Sequence, residues 1–231
     1  MHGWGHAVTA ETPVVAAGDE APPRRAPATR WMASAAVVVA SIAVGFTAAI
    51  ALRPSLPGDG SVEAGFARDM VVHHAQAVEM AEIVHSRTRD PAIRTLATDI
   101  ALTQQSQIGR FQGWLDGWGL PVTGMDEAMT WMGHPTSGPM PGMASAEDVA
   151  SLGALPVAEM DVRFLQLMIP HHQAAILMAD AIQGITDEAE VLAMARGISE
   201  SQAAEIDYMR QLLAERGSEE SEPPVTMPGM R

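Results

Sequence analysis

Apolar side chains recur three and four residues apart through four long stretches of the chain and nowhere alternate with polar ones, so the pattern predicts helices and no strands. The first helix is expected to run from Ser61, a good N-cap, to about Ser86. Asp90-Pro91 supplies a cap and an N1 proline for a second helix reaching about Gly117. A third runs from near Pro156 to near Gly184, and a fourth follows Thr186, where Asp187 and Glu188 suit a helix N-terminus, ending at Gly217.

The pattern also repeats. Phe66, Met70, His73, His74, Ala77, Met80 and Ala81 are matched without a gap by Phe164, Met168, His171, His172, Ala175, Met178 and Ala179, an offset of 98 residues (73 to 171). The same offset pairs Ile100, Gln104 and Ile108 with Ile198, Gln202 and Ile206, places Gln107 opposite Glu205, and sets Phe111 opposite Met209. The repeated unit is therefore a whole helical hairpin, 61–117 and again 156–216. Two such hairpins predict an all-α fold: an antiparallel four-helix bundle over 61–216 with approximate twofold symmetry.

Three segments fall outside the pattern. Trp31 to Leu52 holds no charged residue and lies between Arg30 and Arg53, a stretch of about the twenty residues that cross a bilayer. With Arg24, Arg25 and Arg30 upstream and acidic positions downstream, residues 1–30 are expected to be a disordered cytoplasmic leader and the bundle to lie outside the membrane. Ala49-x-Ala51 is a plausible cleavage site, but the apolar run exceeds the usual signal core, which favours an uncleaved anchor; cleavage would make the protein secreted. The connection 119–155 is rich in Gly, Pro and Met, and its length calls for a reason. The tail 217–231 is acidic, then Pro-rich, and is expected to be disordered.

Composition narrows the chemistry. The net charge is −14, with 28 acidic residues against 14 basic ones that are all Arg, so clustered cations for a phosphate backbone are missing and nucleic acid is excluded as a partner. With no cysteine, disulfides, thiolate metal sites and Cys nucleophiles are excluded as well. Methionine, at 16 residues, is abundant. Scattered ones such as Met160, Met194 and Met209 simply fill gaps in a helical core.

The repeated motif asks for more. Met70, His73, Ala77 and Met80 share one helix face, as do Met168, His171, Ala175 and Met178, while His74 and His172 flank those faces. Each stripe sets two thioethers beside an imidazole, and the small alanines leave room for a partner helix or an ion. Thioether sulfur suits Cu(I), and imidazole also accepts Cu(II), so copper is the metal that uses both, with Cu(I) favoured. One buried Met or His is ordinarily packing, but two His-His pairs at matched places are costly to bury without a role. Pro170, opposite Val72, cannot donate to the Gln166 carbonyl and is expected to kink the third helix. Met125, Met129, Met132, His134, Met140 and Met143 in the connecting loop read as a flexible copper-capturing segment, or else as a hydrophobic lid. Glu82-x-x-His85 has di-iron spacing, but its counterparts are Asp180 and Gln183, and no catalytic constellation is recognised.

Met70-Val-Val-His73-His74 with Met80-Ala81, and Met168-Ile-Pro-His171-His172-Gln173 with Met178-Ala179, resemble the bacterial family of domain of unknown function 305, over about Ser61 to Arg216. The resemblance implies a ferritin-like four-helix bundle, secreted or membrane-anchored, with the His pairs and motif methionines as copper ligands. It implies no reaction. Buffering, sequestration or transfer of copper, with a membrane or secreted copper-handling protein as a possible partner, is the expected function. A membrane-anchored structural or interaction module whose stripes are core packing is the alternative.

Overall fold

The computed structural model describes residues 28–51, 55–221 and 225. The leader 1–27 and most of the tail beyond 221 lie outside the described residues. Where the expected disordered segments are described they are ordered: 28–30 belong to a helix, and Glu219, Glu220 and Val225 are hydrogen-bonded to Gln166, Arg210 and Gln173. Among the described residues there are six helices and no strand: α1 (Ala28–Ala51), α2 (Val62–Arg87), α3 (Pro91–Gly117), α4 (Ala146–Leu152), α5 (Val157–Gln183) and α6 (Ala189–Glu215). A single 3-10 turn, Thr130–Met132, and one isolated bridge, Ala128 to Thr136, interrupt the long connection. The chain divides into two compact units, 1–55 and 56–231.

In the first unit α1 covers most of the uncharged segment. Among the described residues, however, no helix is long and apolar enough to cross a membrane. The described side chains of that uncharged stretch are 31, 32 and 34–50. Single-pass anchoring is thus not supported by the structure and rests on the sequence alone.

In the second unit α2 packs along α3, α5 along α6, and α2 against α5. The helix starts follow local chemistry. Ser61 Oγ accepts from Ala64 N and Asp90 Oδ1 accepts from Ala92 N, so both caps satisfy an amide that the first turn leaves without a partner. The repeat also shows at the helix ends. Thr88 Oγ1 accepts from Asp90 N and donates to Asp161 Oδ2 at 3.0 Å; Thr186 Oγ1, its counterpart, accepts from Glu188 N and donates to Glu63 Oε1 at 2.6 Å. Each threonine turns the chain out of one hairpin helix and clasps the start of the facing one, which holds α2 and α5 antiparallel. Burial raises the Asp161 carboxyl above its usual range, while the bond from Thr88 works the other way.

Two apolar clusters make the core. One gathers Met80, Met168, Phe164 and Ile100 with Ile206 and Met209; the other gathers Met70, Met178, Phe66 and Phe111 with Val191 and Ile198. They are symmetry mates, because antiparallel α2 and α5 set the start of one helix beside the end of the other.

Candidate metal site

Between the two clusters lies a layer of polar side chains. His73, His74, His171 and His172 are fully buried, and Gln104 and Gln202 are 2% exposed. The rings of His73 and His171, from equivalent points on α2 and α5, stack with centroids 3.8 Å apart and planes inclined by 36°. His74 and His172, one helical step of about 100° further round, turn away from this seam towards the outer pair of helices. His74 Nε2 donates to Gln107 Oε1 on α3 at 2.8 Å, and His172 Nε2 donates to Glu205 Oε2 on α6 at 2.7 Å. His73 Nε2 donates to the Pro141 carbonyl at 3.4 Å.

These bonds fix three tautomers. With Nε2 carrying the proton, Nδ1 of His73, His74 and His172 keeps a bare lone pair, and each of those atoms is buried without a partner. Neither nitrogen of His171 has a partner. Burial depresses the basicity of His73 and His74 to a pKa of about 3; the Pro141 bond opposes it at His73, and the neighbouring His73 adds to it at His74. His171 is also held well below the usual range, by burial first and then by the other three rings. His73, His74 and His171 are therefore neutral donors at ordinary pH, ready to bind a cation without losing a proton.

The motif thioethers Met70, Met80, Met168 and Met178 are all fully buried, within one or two turns of the histidines on the same helices. Thioether and neutral imidazole together suit a soft or borderline cation. Among the described residues, no group of three or more His, Cys, Asp or Glu side chains is disposed to hold a metal ion, so any site here must count sulfur or amide donors.

The expected loop donors are placed unevenly. Met129 and Met140 are buried within the second apolar cluster, Met132 and Met143 pack half-buried against it, His134 is half-buried, and Met125 is 97% exposed. The connection is thus largely docked, contrary to the expectation of a flexible segment. The reason lies in residues the sequence reading passed over. Asp69 on α2 is buried and accepts from Met129 N at 2.7 Å and Trp131 Nε1 at 2.8 Å. Trp131 lies against Gly65, where a Cβ would come within 2.6 Å of it. Gln76 clamps the far end, exchanging two hydrogen bonds with Ala144. Gly142, at φ +74°, packs so closely that a Cβ would lie 2.4 Å from the Pro170 carbonyl oxygen. The helix α5 continues through Pro170, and the loop closes over the seam at that point. Met140 to Ala144 is accordingly a cover for His73 and His171.

The chain is similar to several known proteins. A 47-residue stretch is 43% identical to Uncharacterized protein L153 of Acanthamoeba polyphaga mimivirus, covering 20% of this chain and 31% of that protein. A Streptomyces coelicolor structure of domain of unknown function 305, assigned as secreted, is 47% identical with a TM-score of 0.67, covering 71% of this chain and 98% of that one. CopM in its Cu(I)-bound form is 26% identical with a TM-score of 0.53, covering 67% and 96%; its Cu(II)-bound form is 27% identical with the same TM-score, covering 67% and 97%. The model of the family described as Domain of unknown function (DUF305) matches residues 63–213, and the chain belongs to that family.

Proposed function

We propose that this protein binds copper outside the cytoplasm and buffers, sequesters or passes it on through the paired Met/His motifs, without an enzymatic reaction of its own. Its four long helices form an antiparallel bundle of the ferritin-like type. The observation that carries the reading is the set of five fully buried imidazole nitrogens without a partner, gathered where the two hairpins cross. Each such atom costs about 1–3 kcal/mol, against a total stability of about 5–15 kcal/mol for a typical domain. A chain selected for stability alone would fill the layer with leucine. CopM, similar in sequence and fold, is known with copper bound, which supports the same cargo here. Residues 31–52 would hold the domain at the membrane, or direct its secretion if cleaved.

One observation favours the competing reading of a structural module. His73 and His171 lie ring over ring with planes inclined by only 36°, and their lone pairs, which lie in the ring planes, do not converge in that arrangement. Copper binding therefore requires a ring to turn. Titration of the purified chain with Cu(I) against a competing chelator separates the readings. Tight binding that disappears when His73, His74, His171 and His172 are replaced supports the copper reading. Absent binding, or binding indifferent to those replacements, supports the module.

A further inference from the structure

Four of the unpartnered polar atoms in the central layer belong to amides. Gln104 and Gln202 occupy equivalent points of α3 and α6, each 2% exposed, and neither the oxygen nor the nitrogen of either side chain has a partner. Ile100 and Ile206 join one apolar cluster, while Phe111 and Ile198 join the other, so the two glutamines stand at the division between them. On the same helix faces, three residues further on, Gln107 and Glu205 hold His74 and His172. Each of these histidines thus faces the helix that carries a glutamine, His74 facing α3 with Gln104 and His172 facing α6 with Gln202.

Helix formation does not explain these residues, because leucine has nearly the same propensity and would leave nothing unpaired. Their chemistry does separate the layer into two donor sets. The α2/α5 seam offers Met70, His73, Met168 and His171, which are sulfur and nitrogen. Where α2 packs on α3, and again where α5 packs on α6, the layer offers amide oxygen and imidazole nitrogen and, at Glu205, a carboxylate beside His172. Oxygen donors suit a divalent ion and contribute little to Cu(I).

We propose that Gln104 with Nδ1 of His74 in one hairpin, and Gln202 with Nδ1 of His172 in the other, form matched nitrogen/oxygen positions for Cu(II), separate from the thioether/imidazole position on the seam that takes Cu(I). The inference rests on the copper reading above and extends it to a sorting of oxidation states between two kinds of position in one layer.

The test uses the full chain, titrated in parallel with Cu(II) against a competing chelator and with Ag(I), a redox-silent substitute for Cu(I). The variant is Gln104→Leu with Gln202→Leu, and either single substitution serves if the pair does not fold. Cu(II) affinity falls at least about tenfold, the scale of losing supporting groups at a metal site. The Cu(II) electron paramagnetic resonance spectrum changes with it, and Ag(I) binding is unaltered. Unchanged Cu(II) affinity and spectrum overturn the proposal, as does a wild-type chain that binds Ag(I) but not Cu(II). If the wild type binds neither ion, the copper reading itself falls, and this proposal with it.

Discussion

Acidification of the metal-free protein should destabilise it far more than its carboxylates alone would suggest, because the central imidazoles are held neutral. An unfolded histidine titrates near 6.5, whereas His73 and His74 in the fold do so at about 3. Above pH 6.5 both states are neutral and the groups contribute no pH dependence. Below it the unfolded chain takes up protons that the folded chain refuses, so stability falls until about pH 3, where the folded rings also protonate. Between pH 7 and 5 each ring costs about 2 kcal/mol, and the two together about 4 kcal/mol. His171 acts in the same direction. Asp69 and Asp161, whose carboxyls burial raises, oppose the trend at the acid end, since there the folded state holds the extra proton. Urea denaturation followed by far-ultraviolet circular dichroism at several pH values measures the slope. The variant His74→Gln isolates one ring, and its slope should be smaller by close to one proton. A wild-type midpoint that does not move between pH 7 and 5, or a His74→Gln slope equal to the wild type's, refutes the account of a neutral, desolvated layer.

Further outcomes follow from the cover over the seam. Gly142→Ala places a Cβ against the Pro170 carbonyl at a positive φ; it should destabilise the protein by about 1–3 kcal/mol in thermal or urea melts and speed modification of His73 by an imidazole-directed reagent. Asp69→Ala leaves Met129 N and Trp131 Nε1 without their acceptor; it should cost about 1–3 kcal/mol, red-shift tryptophan emission and open 121–145 to proteolysis. Met168→Leu preserves volume at a fully buried position, so stability should change by less than about 1.5 kcal/mol, while Cu(I) affinity, measured against a chelator, should drop. Stability maintained together with full Cu(I) affinity would remove Met168 from the ligand set.

The helices were legible because each boundary is written in local chemistry. Ser61, Asp90-Pro91, Thr186 and Gly217 are short-range signals, and the observed α2, α3, α5 and α6 begin and end within two or three residues of where those signals put them. The repeat made the hairpins legible, since a gapless offset over both helices leaves no register to choose. The loop was not legible. Its Met, Gly and Pro content looks like solvated chain, and what docks it is a carboxylate on another helix, an absent Cβ at Gly65 and the two hydrogen bonds that Gln76 exchanges with Ala144. Those are tertiary facts, although an Asp on the otherwise apolar face of the first helix was a signal that something would meet it. Gln104 and Gln202 were visible as a matched pair and passed over, because a glutamine in a helix is ordinary until burial shows that nothing answers it.

The asymmetry between the halves decides how such a layer could both hold and release a cation. Where His74 leans on the neutral amide of Gln107, His172 leans on the carboxylate of Glu205. A cation near the second half gains attraction from a charge that is only partly exposed. The first half has no such charge, and the cover that lies over both His73 and His171 is bonded to it, through the Pro141 carbonyl and His73. Binding is thereby favoured on the α5/α6 side, while access is governed on the α2 side. Glu205→Gln makes the two sides alike without deleting a hydrogen-bond acceptor, so the fold should persist and cation affinity should fall. If affinity is instead unchanged, the carboxylate serves only to orient His172, and the halves differ in access alone.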